Sequence, residues 1–77
     1  MNKKGLEENI VTVLKRFGSN VQTLRVKNNK SVAVLAKECE LTEETLTSIE
    51  NGTWEELDIL TMLRLAQVLD THLHLLV

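Results

Sequence analysis

Residues 31–52 read SVAVLAKECELTEETLTSIENG. The apolar spacing in this stretch decides the fold. Val32, Leu35, Ala36 and Cys39 fall at i, i+3, i+4 and i+7, which makes one inward stripe on a short helix. Ser31 stands where the N-cap of that helix belongs. Glu40-Leu41 interrupts the stripe. Thr42 then reads as a second N-cap, with Leu41 placed to pack back on Thr45 or Leu46. Leu41, Thr45, Leu46 and Ile49 share a face of the next helix. Asn51-Gly52 stops it, because both residues tolerate a left-handed backbone. The stretch is two short helices joined by a three-residue turn. Such a turn sets the helices at a steep angle and turns the outer face of the second one outward.

Outward from this unit the helical period continues. Upstream, Leu6, Ile10, Val13, Leu14 and Phe17 predict an amphipathic helix over residues 6–17. Gly18 and Ser19 weaken it, and Ser19 is placed to cap a second helix over residues 20–27, with Val21, Leu24 and Asn28 on one side. Asn28-Asn29-Lys30 is a polar turn. Downstream, Asp58 is placed to cap a fifth helix whose inward stripe reads Ile59, Met62, Leu63, Ala66 and Leu69. Residues 71–77 alternate polar and apolar, which fits a short strand or a single helical turn. The expectation is an all-α domain of five helices over residues 1–77, with a C-terminal β-strand as the alternative for the tail.

Composition agrees. The 77 residues contain no proline and three glycines, a balance that favours helix over a turn-rich β fold. Apolar residues make up 43% and charged residues 26%, ordinary for a soluble domain. No apolar run approaches the roughly 20 residues of a membrane span. Met1 to Gly5 is basic, but Glu7 and Glu8 follow at once, unlike a signal peptide. Cys39 is the only cysteine, so no internal disulfide forms, and a reducing cytoplasm is the expected setting. The net charge of −2 counts against nucleic-acid binding unless positive charge is gathered on one face.

Three motifs carry a resemblance. Leu35-Ala36-Lys37-Glu38-Cys39-Glu40-Leu41-Thr42, followed by Thr45-Leu46-Thr47-Ser48-Ile49-Glu50-Asn51-Gly52, is similar to the pattern L-A-x-x-x-G-(V/I/L)-(S/T)-x-x-T-(I/L)-S-x-(I/L)-E-N-G. Phe17-Gly18-Ser19-Asn20-Val21-Gln22-Thr23-Leu24-Arg25 is similar to F-G-x-N-(I/V)-x-x-L-R. Ile59-Leu60-Thr61-Met62-Leu63-Arg64-Leu65-Ala66 is similar to L-x-T-L-x-x-L-A. In combination, over residues 17–69, the chain resembles the helix-turn-helix DNA-binding domains of phage repressors and Xre-type regulators. The resemblance leaves residues 6–17 as an added N-terminal helix and 71–77 as a tail. It implies that the outer face of the second short helix, Thr42, Glu43, Glu44, Thr47 and Ser48, approaches base edges in the major groove. It also implies phosphate contacts at matching positions from Ser31 and the backbone around Asn51, to which Lys27, Lys30 and Lys37 can add charge. Finally, it implies a partly buried ion pair between Arg25 and Glu50. Each of these lies beside the apolar stripe of its own helix, where a charge needs a partner; two solvated charges is the bland alternative.

The chain departs from that pattern in ways that bear on function. Glu43 and Glu44 stand where the family usually has Gln, Arg, Lys, Ser or Thr. Glutamate can accept from cytosine N4, yet two glutamates repel phosphates, and in a first helical turn they also stabilise the helix dipole. Val32 replaces a phosphate-touching glutamine, Val34 lies off the inward stripe, and Glu40 replaces the turn glycine. Val32, Val34, Glu43 and Glu44 together make a mixed apolar and acidic patch that suits a protein partner. The other cations, Lys3, Lys4, Lys15, Arg16 and Arg64, are scattered as on an ordinary solvated surface.

Catalytic signals are absent from the sequence. His72 and His74 lack a third ligand, so no metal is expected and solvated or interface histidines is the better reading. There is no nucleophile–base arrangement and no glycine-rich phosphate loop, so neither an enzyme nor a cofactor is expected. Trp54 is placed to cover a core edge, or to anchor a partner. The leading expectation is a sequence-specific regulator of double-stranded DNA, by resemblance a repressor, acting as a homodimer through Leu73, Leu75, Leu76 and Val77. The rival is a helix-turn-helix protein given over to a protein partner, in the manner of an antirepressor or antitoxin.

Overall fold

The structure, a computed structural model, describes the backbone of residues 3–56 and 58–77 and the side chains from Ile10 onward, Leu57 apart. Five helices follow one another: α1 (Lys3–Lys27), α2 (Val32–Glu38), α3 (Glu43–Asn51), α4 (Ile59–Val68) and α5 (Leu73–Leu76). No strand occurs among the described residues. The tail expected as a strand or a turn is therefore α5. Leu76 is buried, and Leu73 and Val77 pack against the core.

The two helices expected before residue 28 are one. α1 runs unbroken through Gly18 and Ser19, and Ser19 caps nothing: its carbonyl accepts from the Thr23 hydroxyl at 3.0 Å. A mid-helix glycine costs about 1 kcal/mol relative to alanine. A close contact opposes that cost here. A β-carbon on Gly18 would lie 1.8 Å from the Ile49 carbonyl oxygen, so the missing side chain is the notch into which the end of α3 seats. At about 1.5 Å per residue, a 25-residue helix spans roughly 37 Å. That accounts for most of the molecule's 41 Å long axis against 23 and 19 Å across.

The core gathers Leu14, Phe17 and Val21 of α1, Leu35 and Ala36 of α2 with Cys39 after it, Leu46 and Ile49 of α3, Met62, Leu65 and Ala66 of α4 with Leu69 after it, and Leu76. Burial pushes the Cys39 thiol above its usual range, with the nearby Glu38 carboxylate adding to the effect. Trp54 closes one edge, 9% exposed, its ring stacked 6.5 Å from that of Phe17. It is a core lid, not a partner anchor. The expected stripe of α4 needs correction. Met62, Ala66 and Leu69 are buried, but Leu65 joins them in place of Ile59 and Leu63, which are 50% and 46% exposed. Ile10 is likewise 49% exposed, beyond the part of α1 that the other helices cover. Leu6 lies outside the described side chains.

Helix ends obey a single rule. After each of α1 to α4 one residue turns left-handed, Asn29, Glu40, Gly52 and Asp70 in order. In every case the next N–H reaches back to close the last turn: Lys30 to Arg25, Leu41 to Ala36, Thr53 to Ser48 and Thr71 to Ala66. These are Schellman ends. The starts of α2, α3 and α4 are capped as the sequence indicates. Ser31 Oγ accepts from Val34 N–H at 3.1 Å, Thr42 Oγ1 from Thr45 N–H at 3.0 Å, and Asp58 from the N–H groups of Leu60 and Thr61.

Candidate nucleic-acid interface

The outward rod is α3. Its inner side carries Leu46, Ile49 and Glu50, all buried. Its outer side carries Glu43, Glu44, Thr47 and Asn51, all exposed, with Thr42 at the tip and Ser48 half-buried at the margin. The structure therefore gathers the five expected reading residues at one end and side of one helix. Their hydrogen-bonding capacity is not equal. Thr42 is committed to its own helix, accepting from Thr45 N–H and donating to Thr45 Oγ1 at 2.9 Å. Among the described residues, no partner engages the carboxylates of Glu43 and Glu44 or the hydroxyl of Thr47. Those groups are the ones left to meet another molecule.

Rigidity of the rod comes from behind. Arg25 grips Glu50 with both edges of the fork: Nε donates to Oε2 at 2.7 Å and Nη2 to Oε1 at 2.9 Å. The side chains are 13% and 4% exposed. Arg25 Nη1 also donates to the Lys30 carbonyl at 3.0 Å, so one guanidinium ties α1, α3 and the turn before α2 together. The carboxylate in turn holds the guanidinium pKa still higher than usual. This is the ion pair that the resemblance implies, and the solvated alternative is excluded by its burial.

A second clamp was not foreseen. Arg64 Nη1, on α4, donates to the Cys39 carbonyl at 3.2 Å and stands 3.5 Å from Glu40 Oε2. It holds the turn between α2 and α3. Sequence pattern alone places Arg64 among scattered surface cations; only the fold brings it to a turn 25 residues away.

The expected phosphate contacts divide. Lys27 and Lys37 are exposed and Asn51 is exposed at the end of α3. Lys30 is paired, its Nζ in contact with Glu38 Oε1 at 2.6 Å. The Ser31 hydroxyl oxygen accepts the cap bond, which leaves its own proton free to donate. The unit over residues 31–52 holds one basic residue, Lys37, against five acidic ones. Arg25 and Lys30 neutralise Glu50 and Glu38 from outside it, and Arg64 approaches Glu40. Glu43 and Glu44 remain as the uncompensated charge. Val34 is 49% exposed on α2. His72, at the N-cap of α5, and His74 within it are exposed and stack ring on ring at 5.6 Å.

A capped helix, a tight Schellman turn and a second capped helix locked to the core by a buried arginine fork define a helix-turn-helix module. The helix-turn-helix family matches residues 21–76, most of the chain. The chain belongs to that family, in its Cro and phage-repressor-like branch, whose members are DNA-binding regulators. No curated protein and no solved structure gives a significant match. No helix among the described residues is long and apolar enough to cross a membrane.

Proposed function

We propose that the protein is a cytoplasmic, sequence-specific DNA-binding repressor that works as a homodimer, laying α3 into the major groove of each half-site. The observation that carries this reading is the free outer face of α3 on a helix immobilised from behind by the Arg25–Glu50 fork. A rigid helix of nine residues, roughly 10–12 Å across with its side chains, fits a groove about 12 Å wide. Lys27, Lys37, the Ser31 hydroxyl and Asn51 flank that face and supply backbone contacts. Lys30 contributes only when it leaves Glu38. Glu43 and Glu44 can only accept, so they favour base edges that donate, cytosine N4 above all, while the Thr47 hydroxyl can donate or accept. Repression follows from occupancy: a dimer on an operator blocks polymerase, with no effector or cofactor.

A second reading has its own support. Uncompensated Glu43 and Glu44 beside exposed Val34 fit a protein surface carrying basic and apolar groups. Fluorescence anisotropy on a labelled random duplex separates the two. Two unpaired lysines per copy, Lys27 and Lys37, give a slope of log K against log salt of about −1.8, and about −3.6 for a pair. Binding near 50 mM salt that collapses by 200 mM supports the DNA reading. No binding near 50 mM salt overturns it in favour of the protein partner.

A further inference from the structure

The C-terminal ends of α1 and α4 border a cleft of about 490 Å³, with no residue of α3 in its lining. That volume falls within the range of small-molecule sites. The floor is apolar: Leu69 is buried, and Leu24 and Val68 are half-buried beside it. The rim carries both signs of charge. Lys27 and Lys30 stand on the α1 side, with the Asn28 amide, and Asp70 stands on the α4 side. Lys30 is already spent, since its Nζ contacts Glu38 Oε1 at 2.6 Å. Lys27 and Asp70 are exposed, and neither enters an ion pair among the described residues. The cleft therefore keeps one free cation and one free anion on different walls, with apolar surface between them.

We propose that this cleft binds a small aliphatic α-amino acid, its carboxylate on Lys27, its ammonium on Asp70 and its side chain on the apolar floor. Charge selects this occupant. An anion without an ammonium, such as phosphate or a fatty carboxylate, meets the Asp70 carboxylate. A cation without a carboxylate meets Lys27. A zwitterion satisfies both walls at once. Asp70 comes just after α4, whose negative dipole end adds to its pull on an ammonium. On the other wall Lys27 and Lys30 offset the negative end of α1. The four-carbon stem of Lys27 lets its charge follow the ligand's carboxylate, to which the Asn28 amide can also donate. The floor accepts a branched aliphatic chain and offers a polar one no partner. A ligand as small as leucine, partly open to water, binds in about the millimolar range. Repression by occupancy needs no such ligand. Lys27 is also one of the two unpaired lysines that the DNA reading sets on phosphate, so on that reading an occupant takes one phosphate contact from each copy.

The test of binding uses no DNA, so it holds or fails independently of that reading. NMR titration of the isotope-labelled full chain with L-leucine, carried to tens of millimolar, should give saturable shifts centred on residues 24–30 and 68–70. Isocaproate, which lacks the ammonium, and isopentylamine, which lacks the carboxylate, should each bind roughly threefold or more weakly, the worth of one exposed charge pair. Lys27→Met should weaken leucine by the same factor and leave isopentylamine no weaker. Asp70→Asn should weaken leucine likewise and leave isocaproate no weaker. Both side chains are exposed, and asparagine keeps the left-handed backbone of position 70, at φ 55°. The thermal midpoint and Trp54 fluorescence of each variant should therefore match the wild type. Leucine shifts that do not saturate, or that lie away from the cleft, overturn the proposal. So does leucine binding that survives both substitutions unchanged, or isocaproate or isopentylamine binding as tightly as leucine.

Discussion

Replacing Glu50 with alanine removes the group on which α3 is hung. The wild-type carboxylate is 4% exposed on its side chain and takes two donors of one guanidinium, at 2.7 and 2.9 Å. Its loss leaves Arg25 charged, 13% exposed and holding only the Lys30 carbonyl. Breaking a buried pair from one side costs roughly 3–5 kcal/mol, because the remaining charge stays in a poor solvent without compensation. A chain of this length has about 4–12 kcal/mol of total stability. Glu50→Ala should therefore consume a large part of it and lower the thermal midpoint by on the order of 15–30 °C. Arg25→Met combined with Glu50→Leu should cost less than Glu50→Ala alone, since no orphan charge remains. Urea unfolding read through Trp54 fluorescence measures both, as that ring is packed on Phe17 only in the folded state. A loss below about 1 kcal/mol for Glu50→Ala at an unchanged denaturant slope would show that the fork is solvated and that α3 is held by its apolar face alone.

Gly18→Ala gains helix propensity of about 1 kcal/mol but drives a methyl group into the Ile49 carbonyl, where the gap is 1.8 Å. Net destabilisation of roughly 1–3 kcal/mol is expected by urea unfolding, and a more stable variant would disprove the close seating of α3 on α1. Glu40→Gly relieves a left-handed backbone at φ 57° while losing only an exposed 3.5 Å contact with Arg64; it should stabilise by roughly 0.5–1 kcal/mol, and a loss of stability would mean that this contact outweighs the strain. Hydrogen bonds from Thr61 and Leu60 hold the Asp58 carboxyl below its usual range, the Thr61 hydroxyl having the largest effect. A depressed folded-state pKa adds stability that is complete above the unfolded-state pKa near 3.9 and fades as pH falls through the lower folded value. Asp58→Asn should thus narrow its deficit relative to wild type on acidification below pH 4, and a deficit that grows there would contradict the cap. Glu43→Gln with Glu44→Gln should raise affinity for random duplex DNA severalfold at 50 mM salt by removing two charges from the groove face; unchanged affinity would place that face away from the phosphates.

How much of this was legible in the sequence depends on whether the deciding interaction is local. Ser31, Thr42 and Asp58 were readable as caps because a cap bonds within three residues of itself. Gly52 was readable as a stop for the same reason. Glu40 and Asp70 perform the same left-handed role, but their residue types do not announce it; the closing bonds from Leu41 to Ala36 and from Thr71 to Ala66 do. Gly18 was misread as a weak point because its partner, the Ile49 carbonyl, lies 31 residues away in the chain. α4 is apolar on so many positions that period alone could not choose between Leu63 and Leu65. The tail alternates polar and apolar residues as a strand does, yet Asn20 Nδ2 and Arg16 Nη1 donate to the carbonyls of Leu76 and Val77 and seat it as a helical turn. The Arg25–Glu50 fork is the instructive exception, a long-range contact expected in advance because the family resemblance implies it, with each charge standing beside an apolar stripe where it needs a partner.

The same distinction separates what holds α3 from what α3 is for. Its position is over-determined: capped by Thr42, closed by Gly52, seated in the Gly18 notch, gripped by Arg25. Each of these acts on its inner side or its ends. None constrains the outer side, where Glu43, Glu44 and Thr47 are exposed and can vary at little cost to the fold. First-turn acids also suit the dipole of α3, so stability alone would tolerate them. The dipole favours that charge only weakly, so a partner has the larger say in it, and the affinity of the Glu43 and Glu44 variants for DNA is the measurement that reports which partner it suits.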